Sequence, residues 1–502
     1  MPEGVFHHGV EWQLLDTGPK PIRTAKTGVI GVVGTAPGAA LAAAVLTTGV
    51  EGSNTGLTFT AADGEAGNLI NVAYVDPGAN SSALAVTVTG TAISVSLETD
   101  GSGDLVSTAA EVKAAVNGDT DAAALVTVTD TGASTGVGVV AALAASYLTG
   151  GHDDDFPLNT PVLLLGNRTE AAKLGSTGTL PDAMDGIFDQ AIAATIVVIR
   201  VTEGVDFAAT KTNILGDGAS FTGVHALLSA ETVTGVKPRI LIVPGFTHDL
   251  AVVNEMIPLA DALHAHIVAD GPNTDKTDAK TYEDNFGSRR VYLVDPQVKV
   301  YDSATDSDVA KPASPRVAGV IARVHNDPAK GFWWSPSNQP IYGITGTART
   351  VYYSGSEALA EANYLNENNV ATIIRKEGFL LWGNRTTATD SRFAFLAHSV
   401  IEDILNESVT AGIEWAIDRN ITTRFGEAVA QTVQQYLDRL TKLGALAGGK
   451  CWPDPDLNTP DQLLDGKVYF NLDYAPTGIA EHIVLRVEVN QEYLRDLFAQ
   501  AA

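Results

Sequence analysis

From residue 156 to 368 short apolar runs alternate with amphipathic stretches, and this pattern limits the possible folds more than any other feature of the chain. The runs Val162–Leu165, Thr195–Val201, Arg239–Val243 and Val291–Val294 are rich in Val, Ile and Leu and read as buried strands. Between them, Leu180–Ala193, His248–His264 and Asp278–Asn285 read as helices. Such alternation predicts an α/β domain built on a central sheet. One further strand is expected earlier, over Val29–Val33, inside the apolar run Gly28–Gly34. Its glycines are spaced GxxGxxG, not GxGxxG, and no clear binding helix or acidic partner follows. The run therefore predicts the buried first strand of the sheet and not a dinucleotide loop.

Between that strand and the rest of the domain the composition changes. Residues 39–152 are dominated by Ala, Val, Thr and Gly, and Lys113 is the sole Lys or Arg against 11 acidic residues. Alternating runs at Leu57–Phe59, Leu84–Val88, Ile93–Leu97 and Leu125–Val128, separated by Asp, Gly and Asn turns, predict an all-β module. One helix is expected near Leu105–Val116. A module inserted in a loop sits on the exterior, so a surface decoration is expected.

After about residue 376 helical periodicity takes over, at Ala394–Val409 and Phe425–Leu443. Lys467–Leu472 and His482–Val489 then read as two strands of a hairpin, turned through Pro476 and Gly478. Both termini read as arms. Val10, Trp12 and Leu14 alternate with polar residues before Asp16–Pro21 breaks the pattern, and Tyr493, Leu494, Leu497 and Phe498 are apolar teeth at the other end. A lone terminal strand must pair with something, because its backbone donors and acceptors otherwise stay unmatched. At 502 residues two to four domains are expected. The fold class is α/β and α+β multidomain: an arm at 1–24, an α/β core at 25–38 with 153–375, the β-rich insertion at 39–152, a C-terminal α+β domain at 376–490, and an arm at 491–502.

The residues that could carry chemistry argue against it. Gly444–Cys451 falls one residue short of a P-loop, with Cys where a hydroxyl should bind Mg²⁺, and it reads as a turn. His152-Asp-Asp-Asp155 reads as a solvated hinge, since adjacent side chains rarely converge on one ion. His7, His8, His264 and His266 lack partners at zinc spacing and read as ordinary polar residues. No GxSxG, HExxH or CxxC occurs. No cofactor and no metal is expected. The 59 acidic against 32 basic residues give a net charge of −27, which argues against nucleic acid or anionic membrane as partner. The N-terminus lacks the basic and apolar regions of a signal peptide, no apolar run is long enough to span a membrane, and the single Cys451 fits synthesis in a reducing cytoplasm.

Several segments carry a resemblance. FWWSPSN at 332–338 and ATIIRKEGFLLWGNRT at 371–386 resemble the contractile-tail sheath proteins of bacteriophages and the related R-type bacteriocins. FHHGVEW at 6–12, FPLNTPVLL at 156–164, LPDAMDGIFDQ at 180–190, VKPRILIVPGFT at 236–247, ADGPNT at 269–274 and FGSRRVYLVDP at 286–296 follow in the family's order. Together they cover most of 1–38 and 153–490, while 39–152 has no counterpart in the short members. The resemblance implies a structural subunit of the virion tail, made in the host cytoplasm and stacked as six-fold rings around an inner tube. It implies itself, the tail tube protein, and baseplate and tail terminator proteins as partners, with no direct contact to nucleic acid and no membrane insertion. It also implies strand donation between subunits, through Val10, Trp12, Leu14, Val487, Val489, Tyr493 and Leu494, to a 467–489 hairpin. A tube-gripping surface is expected in the C-terminal domain, on the helix Phe425–Leu443 with Arg424, Arg439 and Lys442. Trp333, Trp334 and Trp382 read as interface residues. Two other classes stay open at this point: a secreted or surface β-rich adhesive protein, and an α/β enzyme.

Overall fold

The alternating runs assemble into one nine-stranded sheet in the computed structural model, which describes residues 21–191 and 193–491. Its strands are β1 (Val29–Thr35), β2 (Pro161–Leu165), β3 (Thr195–Val201), β4 (Ile240–Ile242), β5 (His266–Asp270), β6 (Val291–Val294), β7 (Gln339–Ile341), β8 (Val370–Arg375) and β9 (Phe379–Trp382). They lie in the order β7-β9-β8-β6-β5-β4-β1-β3-β2. The six strands from β8 to β3 are parallel, and β9, β7 and β2 close the edges antiparallel. β1 is central: Ile30 lies opposite both Ile196 and Ile240, and all seven of its residues are buried. Its glycines serve packing. A Cβ on Gly34 would come within 2.4 Å of the Thr179 hydroxyl, and one on Gly31 within 2.8 Å of Leu227.

Both faces of the sheet are covered, which is why its strands read as continuous apolar runs. Val32, Ile240, Ile242, Val268, Tyr292 and Val294 pack into one cluster with helices α1 (Leu180–Phe188), α4 (Ser314–Asn326), α5 (Leu396–Ile413) and α6 (Thr423–Leu443). Val33, Leu241, Ile267, Val291 and Leu293 point the other way, against α2 (Leu250–Leu263) and α3 (Lys276–Glu283). α6 starts where the Thr422 hydroxyl accepts from Phe425 N–H, and it stops at Gly444, whose φ of 84° is cheap only for glycine. It buries Val429, Val433, Tyr436, Leu437 and Leu440 at helical spacing, each contributing about 1.5–3 kcal/mol.

The quoted motifs mostly turn out to be joints. In ADGPNT, the buried Asp270 carboxylate accepts from Ser314 N–H at 2.8 Å and from its hydroxyl at 2.5 Å, capping the start of α4. Burial pushes that carboxyl up from its usual range. In FGSRRVYLVDP, Arg290 donates to Asp261 at 2.7 Å and to Asp403 on α5, while Arg289 reaches Glu402 at 3.5 Å and Asp403 at 3.4 Å. Arg239, from VKPRILIVPGFT, pairs with Glu407 on the same helix. Three arginines thus bolt α5 to the N-terminal ends of the parallel strands.

Four expectations need correction. Residues 39–152 do form their own apolar cluster around Phe59, Tyr74, Leu97 and Leu148, with a three-stranded and a four-stranded sheet, but the module is not all-β. The one helix expected near Leu105–Val116 forms at Ala109–Gly118, a second follows at Thr120–Leu125, and together they pack Ala109, Val112, Val116 and Ala122 into its core. Thr108 with Glu111 forms a capping box for the first, and Asp119 caps the second. The hinge at His152–Asp155 is an anchor: Asp154 takes two hydrogen bonds from the buried Arg200 at 2.7 and 2.8 Å, and Asp155 pairs with Lys173 at 3.2 Å. His266 is not an ordinary polar residue but a buried ring whose Nε2 meets the Ser399 hydroxyl at 3.0 Å.

The fourth correction concerns the C-terminal hairpin. The stretch read as a turn is a strand, β10 (Leu446–Pro453), paired antiparallel with β11 (Phe470–Pro476). Residues 482–489 belong to no strand among the described residues, so the expected 467–489 hairpin does not form. Its turn is tied elsewhere: Glu481 takes two hydrogen bonds from Arg385, at 2.8 and 2.5 Å, and His398 Nε2 lies 3.2 Å from the Thr477 carbonyl.

Candidate functional site

Among the described residues no three His, Cys, Asp or Glu side chains group so as to hold a metal ion, and no helix is long and apolar enough to cross a membrane. The surfaces the chain leaves open are therefore the candidate site. On α6, Arg424, Arg439 and Lys442 are all exposed, outside the buried stripe, and none has an ion-pair partner among the described residues. Residues 424 and 442 lie 18 positions apart, about 27 Å along the helix axis. From Thr423 to Lys450 the sequence carries four basic and two acidic residues, a local excess of cations in a chain of net charge −27.

The C-terminal end of α6 opens onto a groove of about 540 Å³, lined by Arg439 and Leu443, by Thr24–Val29, and by Phe332 and Trp333. The structure thus brings the expected cationic helix and the FWW segment together. Trp333 packs edge-on against Phe332, and Trp382 does the same against Tyr353, each with centroids 5.1 Å apart. These two tryptophans anchor elements of their own chain, whereas Trp334 remains 47% exposed.

Of the arm residues, Val10, Trp12, Leu14, Tyr493 and Leu494 lie outside the described residues. Val487 and Val489 are 87% and 86% exposed, and Ile483 and Leu485 are open beside them. These four alternate with Val484, Arg486 and Glu488, the period-two pattern of a strand with one apolar face. β11, for its part, has β10 on one side and no strand on the other among the described residues. Sequence reasoning placed a strand at Lys467–Leu472, overlapping β11, but missed its partner, because Gly448-Gly-Lys450 interrupts the apolar pattern of β10. It also missed the Arg385–Glu481 tie, whose partners stand 96 residues apart.

Comparison with known proteins places the chain in a family. The chain matches the families described as phage tail sheath protein central domain over residues 219–387, phage tail sheath C-terminal domain over 388–490, and tail sheath protein Gp18 domain III N-terminal region over 138–201. It is 38% identical over 342 residues to a prophage major tail sheath protein of Pseudomonas aeruginosa (strain UCBPP-PA14), covering 68% of this chain and 88% of that one. The tail sheath protein of Escherichia phage P2 is 32% identical over the same shares of the two chains. That of Burkholderia phage BcepMu is 28% identical and aligns over 98% of both, so its alignment runs through residues 39–152 as well. Among solved structures, the contracted helical sheath of the anti-feeding prophage superposes with a TM-score of 0.52 at 19% identity, over 66% of this chain and 89% of that one. A chain of the six-fold symmetrised baseplate of the same particle gives 0.51 at 17%, over 70% and 100%. The fold is that of contractile sheath proteins, and the chain belongs to the phage tail sheath protein family. It is a structural protein of the tail sheath, not an enzyme, and its place is the virion tail.

Proposed function

We propose that this chain polymerises as stacked six-fold rings around a tail tube, anchored on a baseplate and closed by a terminator. Contraction of the polymer then drives the tube through a bacterial envelope. The observations that carry this reading are the exposed, apolar, strand-patterned segment 482–489 and, among the described residues, the unpaired second edge of β11. A segment of this kind is completed by adding to the sheet of a neighbouring subunit, through backbone hydrogen bonds that persist while rigid bodies move. Residues 1–24 would serve as the second arm. Free energy is stored in the extended lattice and released as subunits rotate and repack, so no cofactor is needed.

Within this reading the nine-stranded sheet is the sheath core, fed by 25–38 and by the chain after 153. Because β9 belongs to that sheet, the division from the inner α+β domain falls after Trp382 instead of at 375. The inner domain presents Arg424, Arg439 and Lys442 to an acidic face of the tube. Residues 39–152, with their own core and acidic surface, form an outer decoration. Negative-stain electron microscopy of the concentrated full-length chain tests the assembly: hollow striated tubes with six-fold end-on views are expected. Particles that stay monomeric and fail to coat a purified tail tube would overturn the proposal.

A further inference from the structure

We infer that Gln434 closes one edge of the β10–β11 pair, so that a strand arriving from a second copy of this chain adds along β11 and not along β10. This rests on the strand-donation reading above and names the edge at which it operates.

A two-stranded sheet has two free edges, each a row of N–H and C=O groups open to pairing. Here one edge is already occupied. Gln434 Nε2 donates to the Gly449 carbonyl at 3.1 Å, and Cys451 N–H donates to Gln434 Oε1 at 3.0 Å. A strand residue presents its N–H and C=O to the same edge, and alternate residues present theirs to opposite edges. Gly449 and Cys451 therefore face one way, while Lys450 between them faces β11. A single carboxamide takes both positions that a residue of an added strand would take. The side chain is held in place, since Nε2 also donates to Asp438 on the next turn at 2.9 Å, and α6 is fixed by Leu437 and Leu440 beneath. Gly449 permits the close fit: a Cβ there would stand 3.3 Å from Leu437 and 3.0 Å from the Asp473 carbonyl.

Among the described residues β11 carries no such guard. Asn471 and Asp473 lie opposite Trp452 and Lys450, so the backbone groups of Phe470, Leu472 and Tyr474 face outward. The occupant is the 481–491 segment of another copy. Ile483, Leu485, Val487 and Val489 give it one apolar face, matching a sheet whose Phe470 and Tyr474 already lean on the core. Its own copy cannot supply it readily, because the tie from Glu481 to Arg385 holds the five-residue linker after Pro476 away from a hairpin turn.

The test is hydrogen exchange by mass spectrometry on the free full-length subunit and on its polymer, repeated with a synthetic peptide of residues 481–491 added to the free subunit. Peptides spanning 470–476 should slow about tenfold or more on assembly, while those spanning 446–453 stay unchanged. Gln434→Leu removes both edge hydrogen bonds, and in that variant 446–453 should slow on assembly as well. Protection gained at 446–453 in the wild type, or no effect of Gln434→Leu, overturns the edge assignment while leaving strand donation intact. Tubes that form with neither stretch gaining protection would overturn strand donation itself. Should the variant fail to fold, the wild-type comparison still decides which edge is used.

Discussion

Arg290 is 2% exposed, and it stays charged there because Asp261 and Asp403 both accept from it. Removing one partner of a buried pair leaves the other uncompensated, which costs about 3–5 kcal/mol. Asp403→Ala should lower stability by that amount in denaturant titrations, and Asp403→Asn, which keeps a hydrogen-bond acceptor, by less. The histidines of the same region set a pH dependence. Burial pushes His266 down to about 3, against the opposing pull of Asp403, and pushes His325 down to about 4. Both folded values lie below the unfolded one, so the unfolded chain takes up protons first as pH falls. Stability present above pH ~6.5 is then lost progressively toward pH ~3–4, at about 2 kcal/mol per histidine by pH 5. His266→Gln should remove its share, so the variant's midpoint should fall less than the wild type's between pH 7.5 and 5. An identical drop in both would remove His266 from the account.

At the scale of elements, legibility follows from how local the signal is. β1, β3, β6 and α6 were readable because burial on both faces, or on one stripe, writes its period directly into neighbouring residues. The second helix of the insertion was not expected: it spans only Thr120–Leu125, and the strand alternation that follows it masks its signal. β10 was not readable: two glycines and a lysine look like a turn, and the strand exists because α6 and β11 pack on it. Residues 482–489 do carry strand periodicity, but periodicity names no partner, and the Arg385–Glu481 tie that rules out the local hairpin is tertiary. The cations of α6 were readable as a stripe, whereas the groove that Arg439 shares with Trp333 was not. Arg439→Glu with Lys442→Glu should leave thermal stability almost unchanged, since exposed positions rarely shift it by more than about 0.5 kcal/mol. Co-sedimentation with purified tail tube should weaken about tenfold or more; unchanged binding would move the tube-facing surface elsewhere.

For the whole molecule, the insertion and the core are separable in principle. Ala42 and His152 exchange backbone hydrogen bonds at 3.0 and 2.9 Å, so the two ends of the module meet at its base. Replacing residues 43–151 by two glycines should leave a folded chain that still polymerises, as seen by circular dichroism and microscopy. Aggregation of the excised chain would mean that the core depends on the module. The central claim is that subunits are linked by their own chain ends, and one comparison tests it most directly. Full-length protein and a chain lacking residues 482–502 would be concentrated side by side and imaged by negative-stain electron microscopy. The account predicts striated tubes from the first and folded single subunits from the second, and tubes of normal length from both would contradict it.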